Sequence, residues 1–551
     1  MPSKQPKVFI SYAREDVGPA RRLFNSLTEA GAEPWLDVEN LLPGQHWESE
    51  IEKAIKQTDF VIALLSSKSM RKRGFIQKEL RSALSILDEI PEGDVFLIPA
   101  RLDDCKPDHK KLQEINWVDL FPAYEIGLEK LLRVIRPDRV VQTGALDSSF
   151  IGDQLDLAQA GWAVIFPENL DPAVREALSP LLELRKAQAR QRDERLYKEF
   201  SGATAYQPFE SAADFLSRRG VGPGTPDPKR VPSYLLIVGE PETVPFNFQY
   251  DLGVQYRVGR IAFEQPEQYA HYAQNVVDVE VGRVATARRA TFFHVTHPRD
   301  VATDLALRQL THPVCEALTR QVPSWQYDQL TGPQASKESL RGVLSDRQRA
   351  SFLFLVAHGL MLPPEDPRHQ SDQGAIVCAD WLGAGSVTKD HYFTAADVDP
   401  AWDLRGLIVW LFGECGAGTP DSDDFARDGG STSIPVSPRP SISNLPMSLL
   451  GRKDGALAVL GHVDRAWVSS FSWPKVGPQT QAFESAIHTI LNGQPVAAAL
   501  RYFSSKYVEL AAQYLQRSTT LGDYADRHLW TAMIDARNQV LLGDPAARLK
   551  L

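Results

Sequence analysis

Cysteine is scarce in this chain: four in 551 residues, at 105, 315, 378 and 415, with no CxxC pair among them. That excludes a disulfide framework and a zinc site built on paired thiols, so no metal is expected. No apolar run approaches the ~18 residues that a spanning helix needs. The opening Met1-Pro-Ser-Lys-Gln-Pro-Lys7 lacks the apolar stretch of a secretory signal. Positive charge is also in deficit. The 60 Lys and Arg against 70 Asp and Glu give a net charge of -10, which argues against a general binder of nucleic acid or anionic membrane. A cytoplasmic, reducing location is the expectation. The remainder is ordinary for a soluble globular chain, 43% hydrophobic and 24% charged. Its length exceeds what one core organises, so two or three domains are expected.

Two apolar runs end in reactive side chains. Ser351-Phe-Leu-Phe-Leu-Val-Ala-His-Gly359 delivers His358, and Gly406-Leu-Ile-Val-Trp-Leu-Phe-Gly-Glu-Cys-Gly-Ala-Gly418 delivers Cys415. Short runs of Val, Ile, Leu and Phe bounded by Gly read as buried strands of an α/β sheet. Open α/β sheets place their chemistry at the carboxyl ends of such strands. An imidazole there can take a thiol proton, and the thiolate attacks a carbonyl carbon. Glycines after each residue leave the backbone N–H groups of Gly359 and Cys415 open as an oxyanion hole. His358 and Cys415 therefore read as a cysteine-protease dyad. The other three thiols read as small core hydrophobes.

The first ~135 residues alternate strand and helix patterns as a doubly wound domain does. Strands are expected at Val8–Tyr12, Glu33–Asp37, Asp59–Ser66, Val95–Arg101 and Trp117–Leu120. Helices are expected at Pro19–Ala30, Trp47–Gln57, Phe75–Leu87 and Tyr124–Ile135. Residues 1–137 form one domain, 138–149 a polar linker and 150–551 the second region. The second region divides into a helical lead-in, 150–230, and an α/β core, 231–551. In the lead-in, the charged stretch from Pro172 to Phe200 reads as a solvated helix face. Core strands are expected at Tyr234–Gly239, Gly259–Phe263, Thr291–Val295, Phe352–Val356, Leu407–Leu411 and Ala456–Leu460. Two polar stretches, 363–373 and 421–443, follow the dyad residues and read as walls of a substrate cleft.

The motifs Lys7-Val-Phe-Ile-Ser-Tyr-Ala-Arg-Glu-Asp16, Pro34-Trp-Leu-Asp37, Leu42-Pro-Gly-Gln-His-Trp47, Phe60-Val-Ile-Ala-Leu-Leu-Ser-Ser67 and Arg73-Gly-Phe-Ile-Gln-Lys-Glu79 resemble the bacterial branch of the TIR domain family. The resemblance covers residues 5 to 136. It implies a flavodoxin-like fold, self-association into a homo-oligomer on activation, and NAD as substrate or ligand. In relatives that cleave NAD a Glu on the helix after the third strand is catalytic, and the matching residue is Glu79. A carboxylate there suits the chemistry, since breaking the nicotinamide–ribose bond builds oxocarbenium charge. Tyr12, Arg14, Trp35, Asp37 and Ser66 are the expected dinucleotide contacts.

Leu235-Leu-Ile-Val-Gly-Glu-Pro-Glu-Thr-Val-Pro-Phe-Asn-Phe-Gln-Tyr-Asp251, Val258-Gly-Arg-Ile261, Ala357-His-Gly359, Glu414-Cys415 and Gly455-Ala-Leu-Ala-Val-Leu-Gly-His-Val-Asp-Arg-Ala-Trp467 look like the gingipain-type peptidases of the caspase-like clan. The terminal Val540-Leu-Leu-Gly-Asp-Pro-Ala546 adds to the likeness. The resemblance implies a caspase-like α/β domain with a mostly parallel sheet, Cys415 as nucleophile, His358 as base, and proteolysis without a cofactor. A basic residue on the amino-terminal side of the scissile bond needs a carboxylate in its pocket. Asp300 and Asp304 lie where Arg-cleaving relatives carry theirs, and Asp464 beside Trp467 is the second choice. The competing reading makes Asp300 a helix cap and Asp304 an exposed carboxylate. His462, at the end of its strand, reads as structural, with orienting the site or lining the cleft as the alternative, and Asp251 and Asp544 read as caps.

Together these resemblances imply a signal-gated intracellular cysteine protease acting on protein substrates in bacterial antiviral defence, with a nucleotide-derived signal as a possible trigger. The alternative is a TIR NAD hydrolase or cyclase in which the protease-like region is regulatory. A silent adaptor is the third reading, and the retained His358, Cys415 and Glu79 speak against it.

Overall fold

The structure, a computed structural model, describes residues 5–29, 31–41, 44–67, 96–103, 105, 112, 115, 117–120, 124–135, 154–222, 226–346, 350–426, 435–521 and 527–551. The chain divides into two compact units, Met1–Ile151 and Gly152–Leu551. Both are α/β. Among the described residues no helix is long and apolar enough to cross a membrane.

The first unit carries five parallel strands, β1 (Lys7–Ser11), β2 (Glu33–Trp35), β3 (Phe60–Leu65), β4 (Leu97–Arg101) and β5 (Val118–Asp119), in the order β2-β1-β3-β4-β5. This is the flavodoxin-like order, with the chain reversing beside β1 and β3. Successive side chains of a strand face opposite ways. Val8, Ile10, Ile62 and Leu64 therefore pack on the helices Val17–Glu29 and Tyr124–Ile135, while Phe9, Val61 and Ala63 pack on the helix Trp47–Gln57 through Ile51 and Ile55. The expected helix at 75–87, with Glu79, lies outside the described residues, as do Leu42, Pro43 and the linker 138–149.

The second unit is organised by a ten-stranded sheet. Its strands are β6 (Trp162–Ile165), β7 (Tyr197–Phe200), β8 (Tyr234–Val238), β9 (Arg257–Ile261), β10 (Arg289–His294), β11 (Gln326–Thr331), β12 (Phe352–Val356), β15 (Ile408–Phe412), β18 (Ala458–His462) and β21 (Gln539–Gly543). Short ribbons pair β13 (Ile376–Val377) with β14 (Tyr392–Phe393), β16 (Gly418–Thr419) with β17 (Ser441–Ile442), and β19 (Ser472–Trp473) with β20 (Gly477–Pro478). The large sheet runs β11-β10-β12-β15-β18-β21-β9-β8-β6-β7. Every pairing is parallel except β18 with β21. Two parallel halves thus run in opposite directions. The half β11-β10-β12-β15-β18 sends its carboxyl ends to one edge, where His358 and Cys415 emerge.

Central strands read as continuous apolar runs because both faces are covered, and every residue of β12 and β15 is buried. The lead-in is not purely helical. It contributes β6 and β7 to the same sheet, so the charged run ending at Phe200 closes as an edge strand. Nor is that run wholly solvated: Arg185, on the helix Ser179–Ala189, is fully buried. Its guanidinium donates to Asp544 Oδ2 at 2.7 Å and to Glu280 Oε2 at 2.8 Å, and Trp162 Nε1 donates to Asp544 Oδ1 at 2.8 Å. Asp544 is therefore a buried anchor as well as a turn cap. Asp251 is no cap; it sits exposed on the helix Phe246–Gly253.

Candidate functional site

In the first unit the Tyr12 hydroxyl donates to Asp37 Oδ1 at 2.7 Å. Burial and that carboxylate hold the phenol far above its ordinary pKa. These two expected contacts are brought together. Trp35 stacks on Phe9, ring centroids 5.0 Å apart, so its ring serves packing. Ser66 Oγ donates to the buried Asp16 at 2.8 Å, and Arg14 is exposed in a short helical turn.

In the second unit four neighbouring strands deliver the chemistry. Asp300 follows β10, His358 follows β12, Glu414 and Cys415 follow β15, and Asp464 follows β18. The imidazole of His358 lies between two carboxylates. Its Nε2 is 2.5 Å from Asp300 Oδ2, and its Nδ1 is 3.4 Å from each oxygen of Glu414. The Glu414 bond is the largest cause raising the His358 pKa; burial opposes it, the charges of both carboxylates add, and the result is about 9. Burial pushes the Glu414 carboxyl up, but its bonds to His358 and Gly359 outweigh that and leave it below its ordinary value. The ring of His297 stacks on that of His358, ring centroids 6.1 Å apart. Glycine at 359 is a steric requirement, because a Cβ there would sit 1.8 Å from the Glu414 carbonyl oxygen.

Cys415 follows Glu414 in the same turn. It is fully buried, with φ at +52°, the left-handed region that non-glycine residues seldom occupy. Its Sγ accepts from Gln373 Nε2 at 3.6 Å, and burial pushes the thiol up to about 12. No hydrogen bond joins Sγ to His358 among the described residues. Glu414 takes the place beside the imidazole, in a turn that follows β15 and in which Cys415 has left-handed backbone. The two N–H groups expected to form the oxyanion hole both have acceptors in this structure. The Gly359 N–H donates to Glu414 Oε2 at 2.8 Å, and the Cys415 N–H donates to the Asp464 carbonyl at 2.6 Å.

Of the expected pocket residues, Asp300 has both oxygens engaged. Oδ1 caps the helix Val301–Ala306 by accepting from the Ala302 N–H at 2.9 Å, and Oδ2 holds His358. It is thus the cap of the competing reading and a partner of His358, not a free pocket carboxylate. Asp304 is exposed and paired with Arg308 at 2.6 Å. Asp464 is different. It is 1% exposed, sits at φ +67°, and its Oδ2 has no hydrogen-bond partner. Burial, reinforced by the charges of Asp423 and Asp424 and opposed by Arg465, raises its pKa to about 6. Trp467 is partly exposed and packs near Phe425, ring centroids 5.7 Å apart. His462 is buried between Gln539 Nε2 at 3.0 Å and Asp535 Oδ1 at 3.3 Å, a satisfied structural position. Sequence reasoning missed Glu414, Gln373 and Ser443, whose Oγ donates to the Cys415 carbonyl at 2.5 Å. Only Glu414 carried a signal, by adjoining the Cys at a strand end.

With this geometry in place, comparison with known proteins separates the two units. Residues 8–132 match the TIR domain family. The TIR domain of a Toll-related receptor from Hydra magnipapillata is 21% identical, with 23% of this chain and 97% of that chain covered and a TM-score of 0.20. The Arg-specific cysteine proteinase gingipain R is 11% identical over 72% of this chain and 79% of its own, at a TM-score of 0.43. The complex of pro- and mature domains of RgpB from Porphyromonas gingivalis gives 11%, 71%, 79% and 0.42. No curated protein matches the chain.

Proposed function

We propose that residues 152–551 act as a cysteine endopeptidase held latent until the TIR-matching unit signals, with Cys415 as nucleophile and His358 as base. The observation that carries this reading is the placement of both residues after adjacent parallel strands, with His358 fixed by Asp300. Once Sγ faces the imidazole, His358 takes its proton and the thiolate attacks the scissile carbonyl. The imidazolium then returns the proton to the leaving amine, and water hydrolyses the thioester. Asp464, buried beside the Cys415 backbone with an unpaired oxygen, supports a preference for a basic side chain on the amino-terminal side of the scissile bond.

The trigger enters through the first unit. Clustering of TIR domains raises the local concentration of the attached peptidases, as self-association of such domains in a cytoplasmic antiviral system requires. Cleavage of NAD by Glu79 is a second output of that unit, supported by the family match and by Tyr12 with Asp37. One experiment tests the reading. The full chain, clustered through an amino-terminal dimeriser, is profiled on an unbiased peptide library beside Cys415→Ala and His358→Ala, with nicotinamide release followed in parallel. The expectation is cleavage after Lys or Arg by the wild type alone. Equal proteolysis by Cys415→Ala would sink the assignment.

A further inference from the structure

Backbone and side-chain contacts hold Glu414 and Cys415 in a conformation in which Glu414, and not the Cys415 thiol, hydrogen-bonds His358. The Glu414 carboxylate accepts the Gly359 N–H at 2.8 Å and stands 3.4 Å from His358 Nδ1. A carbonyl oxygen of a bound peptide would need that same N–H. Meanwhile Cys415 is held in the left-handed region by three contacts: its N–H on Asp464 O at 2.6 Å, its carbonyl under Ser443 Oγ at 2.5 Å, and its Sγ against Gln373 at 3.6 Å. Strained non-glycine backbone of this kind persists only where surrounding contacts over-determine it.

We propose that Glu414 and Cys415 form a built-in latch: Glu414 occupies the oxyanion position beside His358 in the resting chain, and rotation of the 413–416 backbone exchanges it for Cys415 Sγ. The inference rests on the peptidase reading and adds its regulation. The segment is suited to the exchange, since glycines 413 and 416 flank the pair. No bond forms or breaks in the switch; hydrogen bonds and an ion pair are traded.

The lever is visible in the same contacts. Ser443 follows β17 directly, and β17 pairs antiparallel with β16, Gly418 opposite Ile442 and Thr419 opposite Ser441. Asn444, next along, donates to the Gln370 carbonyl at 2.9 Å, three residues from Gln373. Gly374 completes the grip, because a Cβ there would lie 2.1 Å from the Cys415 carbonyl oxygen. A pull on β17 withdraws the Ser443 hydroxyl and loosens Cys415 from its carbonyl side. Activation therefore reaches the nucleophile through the β16–β17 ribbon, and Glu414 leaves the imidazole as Cys415 arrives. Two discrete arrangements of one short segment are what such a switch needs.

The test reads thiol accessibility, which needs no turnover. Cys378 is buried in the same unit and serves as an internal standard. The unclustered full chain is treated with iodoacetamide, and labelling of each cysteine is mapped by peptide mass spectrometry over time. The quantity read is the rate at Cys415 divided by the rate at Cys378. Glu414→Ala should raise this ratio at least about tenfold over wild type, and Ser443→Ala should raise it by a smaller factor. General loosening of a variant speeds both thiols and leaves the ratio unchanged. An unchanged ratio in Glu414→Ala overturns the latch. Proteolysis surviving in Cys415→Ala would overturn the peptidase reading but leave this ratio free to rise, so the two failures are distinguishable.

Discussion

Two clusters of the second unit, around Arg185 and around His358, share one formal composition, a cation between two carboxylates, and they do opposite things. Arg185 lies between Asp544 and Glu280 with its side chain and the Asp544 side chain wholly buried. His358 lies between Asp300 and Glu414 at the sheet's edge, 35% exposed. Burial alone would lower the Arg185 guanidinium, but Asp544 and Glu280 raise it, so its charge is permanent. It braces the helix Ser179–Ala189 against the end of β21 and the helix Pro266–Glu280. The His358 charge can be withdrawn by a proton or by movement of one carboxylate. The choice of cation separates a brace from a switch.

Breaking the brace gives the largest expected effect. Arg185→Met leaves two carboxylates buried without a cation, which costs about 3–5 kcal/mol. Urea unfolding of the second unit, followed by tryptophan fluorescence, checks it. A loss below ~1 kcal/mol would mean that water reaches the cluster and that the two sites differ less than their burial implies.

The sequence makes the switch more legible than the brace. His358 and Cys415 end strands whose apolar runs, Phe352–Val356 and Ile408–Phe412, leave no other reading. Arg185 sits in a run of alternating charge, where nothing local marks one guanidinium as buried; its partners lie 95 and 359 residues away. Edge strands are illegible for a related reason. β7 (Tyr-Lys-Glu-Phe) and β11 (Gln-Tyr-Asp-Gln-Leu-Thr) each pair on one side only and carry polar residues that mimic helix or loop. β21 is apolar, but nothing in it announces the antiparallel pairing that reverses half the sheet. The dyad residues could be named from strand ends, yet not their orientation, because which of two consecutive residues faces the His depends on one backbone rotation. The pocket assignment fared likewise. Asp300 and Asp304 were plausible by position, and only tertiary contacts show one on His358 and the other on Arg308.

An intermediate effect is expected from Asp300→Asn. The amide oxygen can still cap the helix Val301–Ala306, so stability should change by less than ~1 kcal/mol. The negative charge on His358 Nε2 is lost, and the imidazole pKa should fall toward its ordinary value. As a positioning residue, Asp300 should then matter to rate: kcat/KM of the clustered enzyme should drop on the order of 10²-fold. The acid limb of its pH profile, set by the imidazole that must be unprotonated to take the thiol proton, should move to lower pH. A rate loss with an unmoved profile would assign Asp300 to the cap alone.

The smallest effect is a pH dependence that only one cluster should show. The groups facing His358 are Asp300, Glu414 and the neighbouring His297, whose own pKa burial lowers. The folded chain raises the His358 pKa from 6.5 to about 9. Its imidazolium therefore stabilises the fold fully below about pH 6.5, and that contribution is lost as pH climbs through 9. Because the ring is partly exposed, solvent screening limits the amount to under about 1 kcal/mol. The difference in unfolding free energy between wild type and His358→Gln, measured in urea at steps from pH 6 to pH 9.5, should shrink across that range. The corresponding difference for Arg185→Met should stay flat, since the guanidinium keeps its proton throughout. A flat difference for His358→Gln would place the imidazole outside the ion pair in solution, and a sloping one for Arg185→Met would bring a titrating group into the brace.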